Sequence, residues 1–360
     1  MRWRVYYDQY RYRARYDYAL AGGIQDARDL TAGDWVGSRL SYDFTVPRVG
    51  TLTVGSELNV DLRTLQRYYA VSPQPVEYLH VNNPDILYGL FAQQQWQLSP
   101  AWNAYFGVRF DDSKSNARFI SPRLALIYQP TDRSTYKFLY GRAFREPNAY
   151  EMFYEDGVSL VGNAGLRPEH AQTLEVAAER KLTKDLSGLL TVYHYWLGGL
   201  IQAVTLDGGL LQYQNVARNG ATGVEVELSG RPAAWIETTA SLALQRATNT
   251  ESNTPMTNSP ARVAKLRAAV PFLKSRLETA AAVQYLSSRT TVSGSAVPPV
   301  WLADLTFTTN RINAYFDLQF GIRSLLDRAY YDPAGVGLIQ DRIRQDGRAV
   351  FLKLIWRTRE

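Results

Sequence analysis

The spacing of the turns constrains this chain most. Nearly the whole sequence reads as extended segments whose links alternate between short and long. The short links fall at 47–50, 99–100, 131–133, 184–185, 231–234, 272–275 and 311–313. The long ones fall at 21–32, 71–84, 147–167, 249–258, 291–298 and 326–346, with shorter ones near 111–117 and 205–209. An up-and-down sheet with tight turns at one rim and loops at the other is the layout of a bacterial outer-membrane barrel. The segments between the links alternate as strands must. Ala264, Leu266, Ala268 and Val270 oppose Lys265 and Arg267, and Val224, Val226 and Leu228 oppose Glu225 and Glu227. Near the start, Tyr10, Tyr12, Ala14, Tyr16 and Tyr18 share one face and Arg11, Arg13, Arg15 and Asp17 the other; Val350, Leu352, Leu354 and Trp356 line one side near the end.

One apolar and one polar face also suits a soluble sandwich, so length has to decide. Many runs here exceed ten residues, whereas soluble strands average about five or six and a tilted membrane strand needs about nine to eleven. The fold expected is therefore all-β, an antiparallel up-and-down transmembrane β-barrel. Roughly sixteen strands are expected, near 3–19, 33–46, 50–70, 85–98, 101–111, 118–130, 134–146, 168–183, 186–204, 210–230, 235–248, 259–271, 276–290, 299–310, 314–326 and 347–357. The stretch 186–206 carries no Asp, Glu, Lys or Arg and is long enough for a membrane helix. Its Tyr, Val and Thr content and the Gly198–Gly199 pair favour a strand.

Composition agrees where it bears on the question. Mean hydropathy is −0.28, which a barrel tolerates because lumen-facing polar residues dilute the lipid-facing apolar ones. The 24 Tyr and 8 Trp suit membrane interfaces, although aromatics are also good strand formers. Cysteine is absent, which excludes a disulfide framework and thiolate metal sites. The net charge of +6 is spread rather than clustered, so no nucleic-acid partner is expected. It suits anionic ligands, or lipopolysaccharide at the outer rim, as well as an ordinary solvated surface. The opening MRWRVYYDQYRYRARYDY has no apolar leader core, so a membrane barrel of this sequence is expected to be mature or cut from a longer precursor.

No catalytic signature is present. The histidines His80, His170 and His194 have no metal-ligand spacing, and neither a GxSxG elbow nor a P-loop occurs. The Gly335–Val336–Gly337 triplet lacks the later glycine of a dinucleotide fingerprint, and Glu155–Asp156 are loop neighbours. No enzyme activity, cofactor or metal is expected. The candidate binding region is the loop EPNAYEMFYEDGVSLVGNAGLRPE, with Tyr150, Phe153 and Tyr154. These aromatics suit stacking on a ligand, and equally suit anchoring the loop to the wall. Arg142 and Arg145 end the preceding strand. Their guanidinium groups suit carboxylate or hydroxamate oxygens of a chelate, or pairing with Glu146 or Glu169.

Several motifs in order resemble the barrel of TonB-dependent outer-membrane receptors. They are Ala143, Phe144, Arg145, Pro147 and Asn148, a long loop, then Asn163, Leu166, Pro168 and Glu169 with Glu175 beyond. SPRLALIYQP, YQNVARNGATGVEVEL, TNSPARVAKL and SLLDRAYYDPAG follow the same pattern, and the match runs from Arg4 to Trp356. The resemblance implies an outer-membrane receptor of a Gram-negative bacterium that takes up a metal chelate, a ferric siderophore above all, with cobalamin, other chelates and sugars as the ligands of some members. Uptake would be energised by the TonB complex through an N-terminal plug. Family barrels have about twenty-two strands, so residues 1–360 are expected to be one partial barrel domain, without the plug and about six strands. The closing residues 356–360 depart from the family's aromatic ending. A passive diffusion porin and a structural barrel are the alternatives. The porin fits less well, because the loop 147–167 lacks the opposed charge clusters of a constriction.

Overall fold

The computed structural model describes residues 1–20, 23–47, 49–114, 118–216, 218–273, 276–309, 315–335 and 338–356. The expected turns at 272–275 and 311–313, the glycine triplet at 335–337, the loop at 111–117 and the closing residues 356–360 lie wholly or partly outside them. The strands are β1 (Arg2–Leu20), β2 (Gly23–Val46), β3 (Gly50–Ser72), β4 (Val76–Asn82), β5 (Ile86–Ser99), β6 (Trp102–Ser113), β7 (Phe119–Thr131) and β8 (Ser134–Arg145). A short helix α1 (Ala149–Phe153) precedes β9 (Leu160–Val161), β10 (Glu169–Lys181), β11 (Leu186–Gly198), β12 (Ile201–Thr205), β13 (Leu211–Asn215) and β14 (Arg218–Ala233). Then follow β15 (Ile236–Asn249), β16 (Arg262–Phe272), β17 (Leu277–Leu286), β18 (Arg289–Thr290), β19 (Ala296–Val297) and β20 (Val300–Thr309). The last are β21 (Phe316–Arg323), β22 (Tyr331–Pro333), β23 (Arg342–Arg344) and β24 (Ala349–Trp356). Among the described residues, seventeen strands belong to one sheet, and all of its ladders given below are antiparallel.

The residues form two compact units, 1–126 with 139–173 and 196–218, and 127–138 with 174–195 and 219–360. In the first, β1 pairs with β2 from Arg2↔Ser41 to Leu20↔Gly23, and β2 pairs with β3 along nearly its whole length. The lower half of β3 pairs with β5 and its upper half with β4, and β5 pairs with β6. In the second, β14, β15, β16, β17, β20, β21 and β24 pair in succession.

Register carries one chemistry across each face. Along one side of the first unit run Trp3, Leu40, Leu58, Leu90, Phe106 and Val108, all exposed. Leu90 and Leu98 keep 56% and 61% of their surface, although no solvent-seeking group explains it. Opposite them lie Arg4, Arg39, Glu57, Gly89 and Asp111. The second unit repeats the pattern: Val226, Leu242, Ala264, Tyr285 and Trp301 stand in register, with Glu227, Ser241, Lys265 and Gln284 on the other side. Large apolar side chains left exposed in contiguous rows are what a lipid-facing wall requires. The buried core of the first unit is small and sits at the loop end, where Ala27, Tyr68, Leu79, Tyr154 and Leu160 pack together.

Three expectations need correction. Residues 23–32 belong to β2 rather than to a loop, because Gln25, Ala27 and Asp29 alternate into that core and packing overrides a glycine-rich, polar sequence. The loop at 71–84 folds back as β4. The expected strands at 186–204 and 210–230 are each interrupted. Gly199 turns the chain at φ +63°, and β12 and β13 form a separate hairpin. On both sides of that turn the charge-free stretch is strand rather than helix, as its residue types favour.

Candidate functional site

The loop after β8 is built from the motif residues, each doing local structural chemistry. Pro147 is buried and cannot extend a ladder, so the strand ends there. Asn148 caps α1: its side-chain oxygen accepts from the Glu151 N–H at 2.9 Å, and Glu151 Oε2 accepts from the Asn148 N–H at 2.8 Å. Such a reciprocal cap satisfies two orphan donors and typically contributes about 1 kcal/mol. Arg145 ties this cap to the next strand. Its Nη atoms grip Glu151 bidentately at 2.9 and 3.0 Å, and its Nε donates to Glu169 at 2.7 Å.

The return half of the loop is anchored in the same way. The Asn163 amide donates to the Tyr213 carbonyl at 2.8 Å, Leu166 is 2% exposed, and Glu169 Oε1 accepts from the Ile201 N–H at 2.7 Å. Asn215 bonds both the N–H and the carbonyl of Arg167, and also the carbonyl of Gly199. Gly198 leaves room for the His170 ring, which a Cβ would approach to 2.4 Å.

The aromatics divide between two roles. Tyr154 is buried, packs its ring at a tilt against Tyr68 and Tyr150, and donates its hydroxyl to Asp29 at 3.0 Å. Burial, then the charge and hydrogen bond of Asp29, push that phenol far above its ordinary value. Phe153 packs against the small cluster of Met152, Leu166 and Ile201. Tyr150 is different: it keeps 44% exposure while its ring lies 4.4 Å from Tyr154 and 6.1 Å from Tyr213. It is held from one side and open on the other. Burial raises its phenol too, so it stays a neutral donor.

The two arginines are three residues apart in a strand, so alternation sends them to opposite faces. Arg142 lies 4.5 Å above the Phe119 ring, and its buried Nε has no hydrogen-bond partner. Arg145 is committed to Glu151 and Glu169. The alternative partner Glu146 is instead buried among acidic neighbours, and burial raises its carboxyl. The loop therefore brings together Tyr150, Tyr154, Phe153 and Arg145, with Arg142 on the other face. Asp29, Tyr68, Tyr78 and Tyr213 also build the site, and their spacing in sequence carries no sign of it. On the polar face of the first unit, a cavity of about 880 Å³ is lined by Arg2, Arg4, Arg39, Arg109, Arg123 and Phe91 among others. Among the described residues no group of acidic or histidine side chains is placed to hold a metal ion.

A family model described as "TonB dependent receptor-like, beta-barrel" matches residues 1–323. The vitamin B12 transporter BtuB of Vibrio cholerae is 30% identical over 133 residues, which cover 37% of this chain and 20% of that protein. Among solved structures, the copper transporter OprC superposes with a TM-score of 0.80 at 15% identity, covering 98% of this chain and 61% of that one. A variant of the ferric enterobactin receptor PfeA from Pseudomonas aeruginosa gives 0.78 at 18% identity, covering 97% and 58%. The fold is thus the antiparallel up-and-down barrel type expected, and the chain spans about a fifth of the curated relatives and three-fifths of the solved ones.

Proposed function

This chain belongs to the TonB-dependent receptor β-barrel family, and from that premise we propose that it forms barrel wall and outer loops of an outer-membrane receptor for a metal chelate. The chelate class favoured is a ferric siderophore. Transport would be energised by the TonB complex through a plug domain that the solved relatives' greater length leaves room for. The surrounding partners are the lipid bilayer and its lipopolysaccharide, in a Gram-negative outer membrane.

The observation that carries the reading is Tyr150. Its ring is presented on a doubly capped turn, backed by Tyr154 and Tyr213, and nearly half open. A rigid aromatic with a free face and a hydroxyl suits a planar catechol or hydroxamate arm of an oxygen-rich chelate, because little side-chain entropy remains to be lost on binding. Arg145 positions that turn and Tyr154 supports it, while Phe153 anchors the loop. Arg142, on the other face above the Phe119 ring, suits a carboxylate or catecholate oxygen further along the wall through its guanidinium.

The test is tryptophan fluorescence quenching of the full chain in detergent, titrated separately with a ferric tris-catecholate, a ferric trihydroxamate and cobalamin. The reading expects a ferric chelate to bind and Tyr150→Ala to weaken it about tenfold or more, with the folded electrophoretic mobility retained. Equal binding by wild type and variant would remove Tyr150 from the site. Binding of cobalamin alone would replace the siderophore with a corrinoid.

A further inference from the structure

The polar face of the first unit sets like charges directly opposite each other. Arg4 on β1 faces Arg39 on β2 across the ladder, and Arg39 in turn faces Glu57 on β3. Like charges in that relation weaken a sheet, and Glu57 is the counter-ion that the register supplies. Glu57 is already engaged: its Oε2 accepts from Arg109 Nη1 at 2.8 Å. Arg109 Nε also reaches both oxygens of Asp111, at 2.8 and 2.9 Å. Arg2 is likewise taken by Asp43. Arg123 on β7 lines the same cavity of about 880 Å³ as Arg4 and Arg39. Among the described residues no carboxylate lies within ion-pair distance of Arg4, Arg39 or Arg123, and all three are exposed.

Aromatic rings hold two of these guanidinium groups in place. That of Arg4 lies 5.1 Å from the centre of the Tyr6 ring, and that of Arg39 lies 5.4 Å from the centre of the Phe91 ring. Each ring in turn lies across a glycine opposite it in the ladder, Tyr6 across Gly37 and Phe91 across Gly55. A Cβ at either glycine would collide with the ring. The sequence thus repeats one device on neighbouring strands: a bare glycine, a ring over it, an arginine on the ring. A ring beneath a guanidinium attracts the cation and fixes its plane, while the N–H edge stays free to donate. Water alone would solvate arginines at any surface position, and gives no reason to hold two of them opposite each other on fixed rings. An oxyanion does, because N–H forks already in place lose little freedom when it arrives.

We propose that Arg4, Arg39 and Arg123 form a second subsite, apart from the Tyr150 turn, that selects chelates by negative charge. The proposal rests on the metal-chelate reading above and deepens it from a ferric chelate to an anionic one. The cavity is of the size that ordinarily takes a small molecule, and Phe91 and Phe144 give it apolar wall beside the guanidinium groups. Carboxylate or catecholate oxygens of the ligand accept from the arginine N–H edges, and its ring or methylene parts meet the phenylalanines. An uncharged tris-hydroxamate complex offers similar bulk without the charge, and so leaves the repulsion between Arg4 and Arg39 unrelieved.

The experiment uses the full chain folded into neutral detergent. Three probes are titrated calorimetrically: a trianionic ferric tris-catecholate, an uncharged ferric tris-hydroxamate and inorganic sulfate. The expected result is at least tenfold tighter binding of the tris-catecholate than of the tris-hydroxamate, with the preference shrinking as salt rises from about 0.05 to 0.5 M. The double variant Arg4→Gln with Arg39→Gln should lose at least tenfold for the tris-catecholate and nothing for the tris-hydroxamate. Tyr150→Ala should weaken both chelates alike, and Arg231→Gln, near a short turn of the other unit, should alter neither. The chelate comparison and its salt dependence need no variant and stand even if the double substitution misfolds. Equal affinity for the two chelates, tighter binding of the uncharged one, or an unchanged double variant of native mobility overturns the subsite. Sulfate held as tightly as the tris-catecholate would make it a simple-anion site and overturn the assignment to chelates. Binding of neither chelate to the wild type would overturn the metal-chelate reading and the subsite with it, a result distinct from binding without charge preference.

Discussion

Tyr154 shows how a residue in a candidate binding loop can serve the loop first. Its hydroxyl gives Asp29 a hydrogen bond across 125 positions of sequence, inside the small core under the loop. Tyr154→Phe leaves a buried carboxylate oxygen without that donor, at a cost of about 1–3 kcal/mol. The loss should appear as faster hydrogen exchange over residues 149–161 with the wall strands unchanged; exchange at the wild-type rate would remove the bond from the account. Asp156 gives the same loop a pH dependence. Burial pushes its carboxyl up, but the Ser159 hydroxyl and the N–H groups of Leu160, Ser159 and Val158 outweigh this and hold it below its ordinary value. A depressed folded pKa means stabilisation that is complete above the unfolded value of about 4 and lost as pH falls through the lower folded value. Limited proteolysis at 155–160 should therefore stay slow from neutral pH to about 4 and rise below it. Asp156→Asn should be cut quickly throughout. At this scale the sequence showed which residues mattered better than what they do. Arg145 and Glu169 were named, and so was their possible pairing, yet Glu151 as the second carboxylate depends on a turn geometry that spacing alone does not reveal.

At the scale of elements the strands were legible because two-residue periodicity survives wherever one face meets lipid. It failed where the environment changes along a strand. On β1 the tyrosine row 10–18 shares its face with Arg2 and Arg4, and the arginine row continues the face of Trp3, Val5 and Tyr7. The alternation is unbroken, but the apolar and charged faces exchange places near Asp8, since 19 residues exceed what a bilayer requires. The upper part of β2 was hidden for a related reason: its inward residues pack under a loop, so small and polar types replace the usual apolar row. A charge placed in the apolar belt separates the faces experimentally. Leu90→Lys should reduce folding into vesicles by about 2–4 kcal/mol, measured by denaturant titration, while Gln93→Lys on the polar face should change it little. Equal effects would mean that the two faces see the same medium.

At the scale of the whole molecule, the exposed apolar rows, the polar opposite faces and the family match tell one physical story. Apolar surface stays outside because its solvent is hydrocarbon, and polar residues turn inward where water or another polypeptide meets them. The order of motifs made the family legible from sequence. The ligand was not legible, because it is selected by a few loop side chains such as Tyr150 whose company is assembled from distant segments. The central claim is the lipid-facing wall, and the absence of cysteine makes it directly testable. Single cysteines placed in turn along 88–97 of β5 can carry a spin label in the full chain folded into vesicles. The account predicts alternation: collision with oxygen high at 90, 92, 94 and 96, and collision with a water-soluble nickel complex high at 91, 93, 95 and 97. Uniform access of the nickel complex to both sets would contradict it.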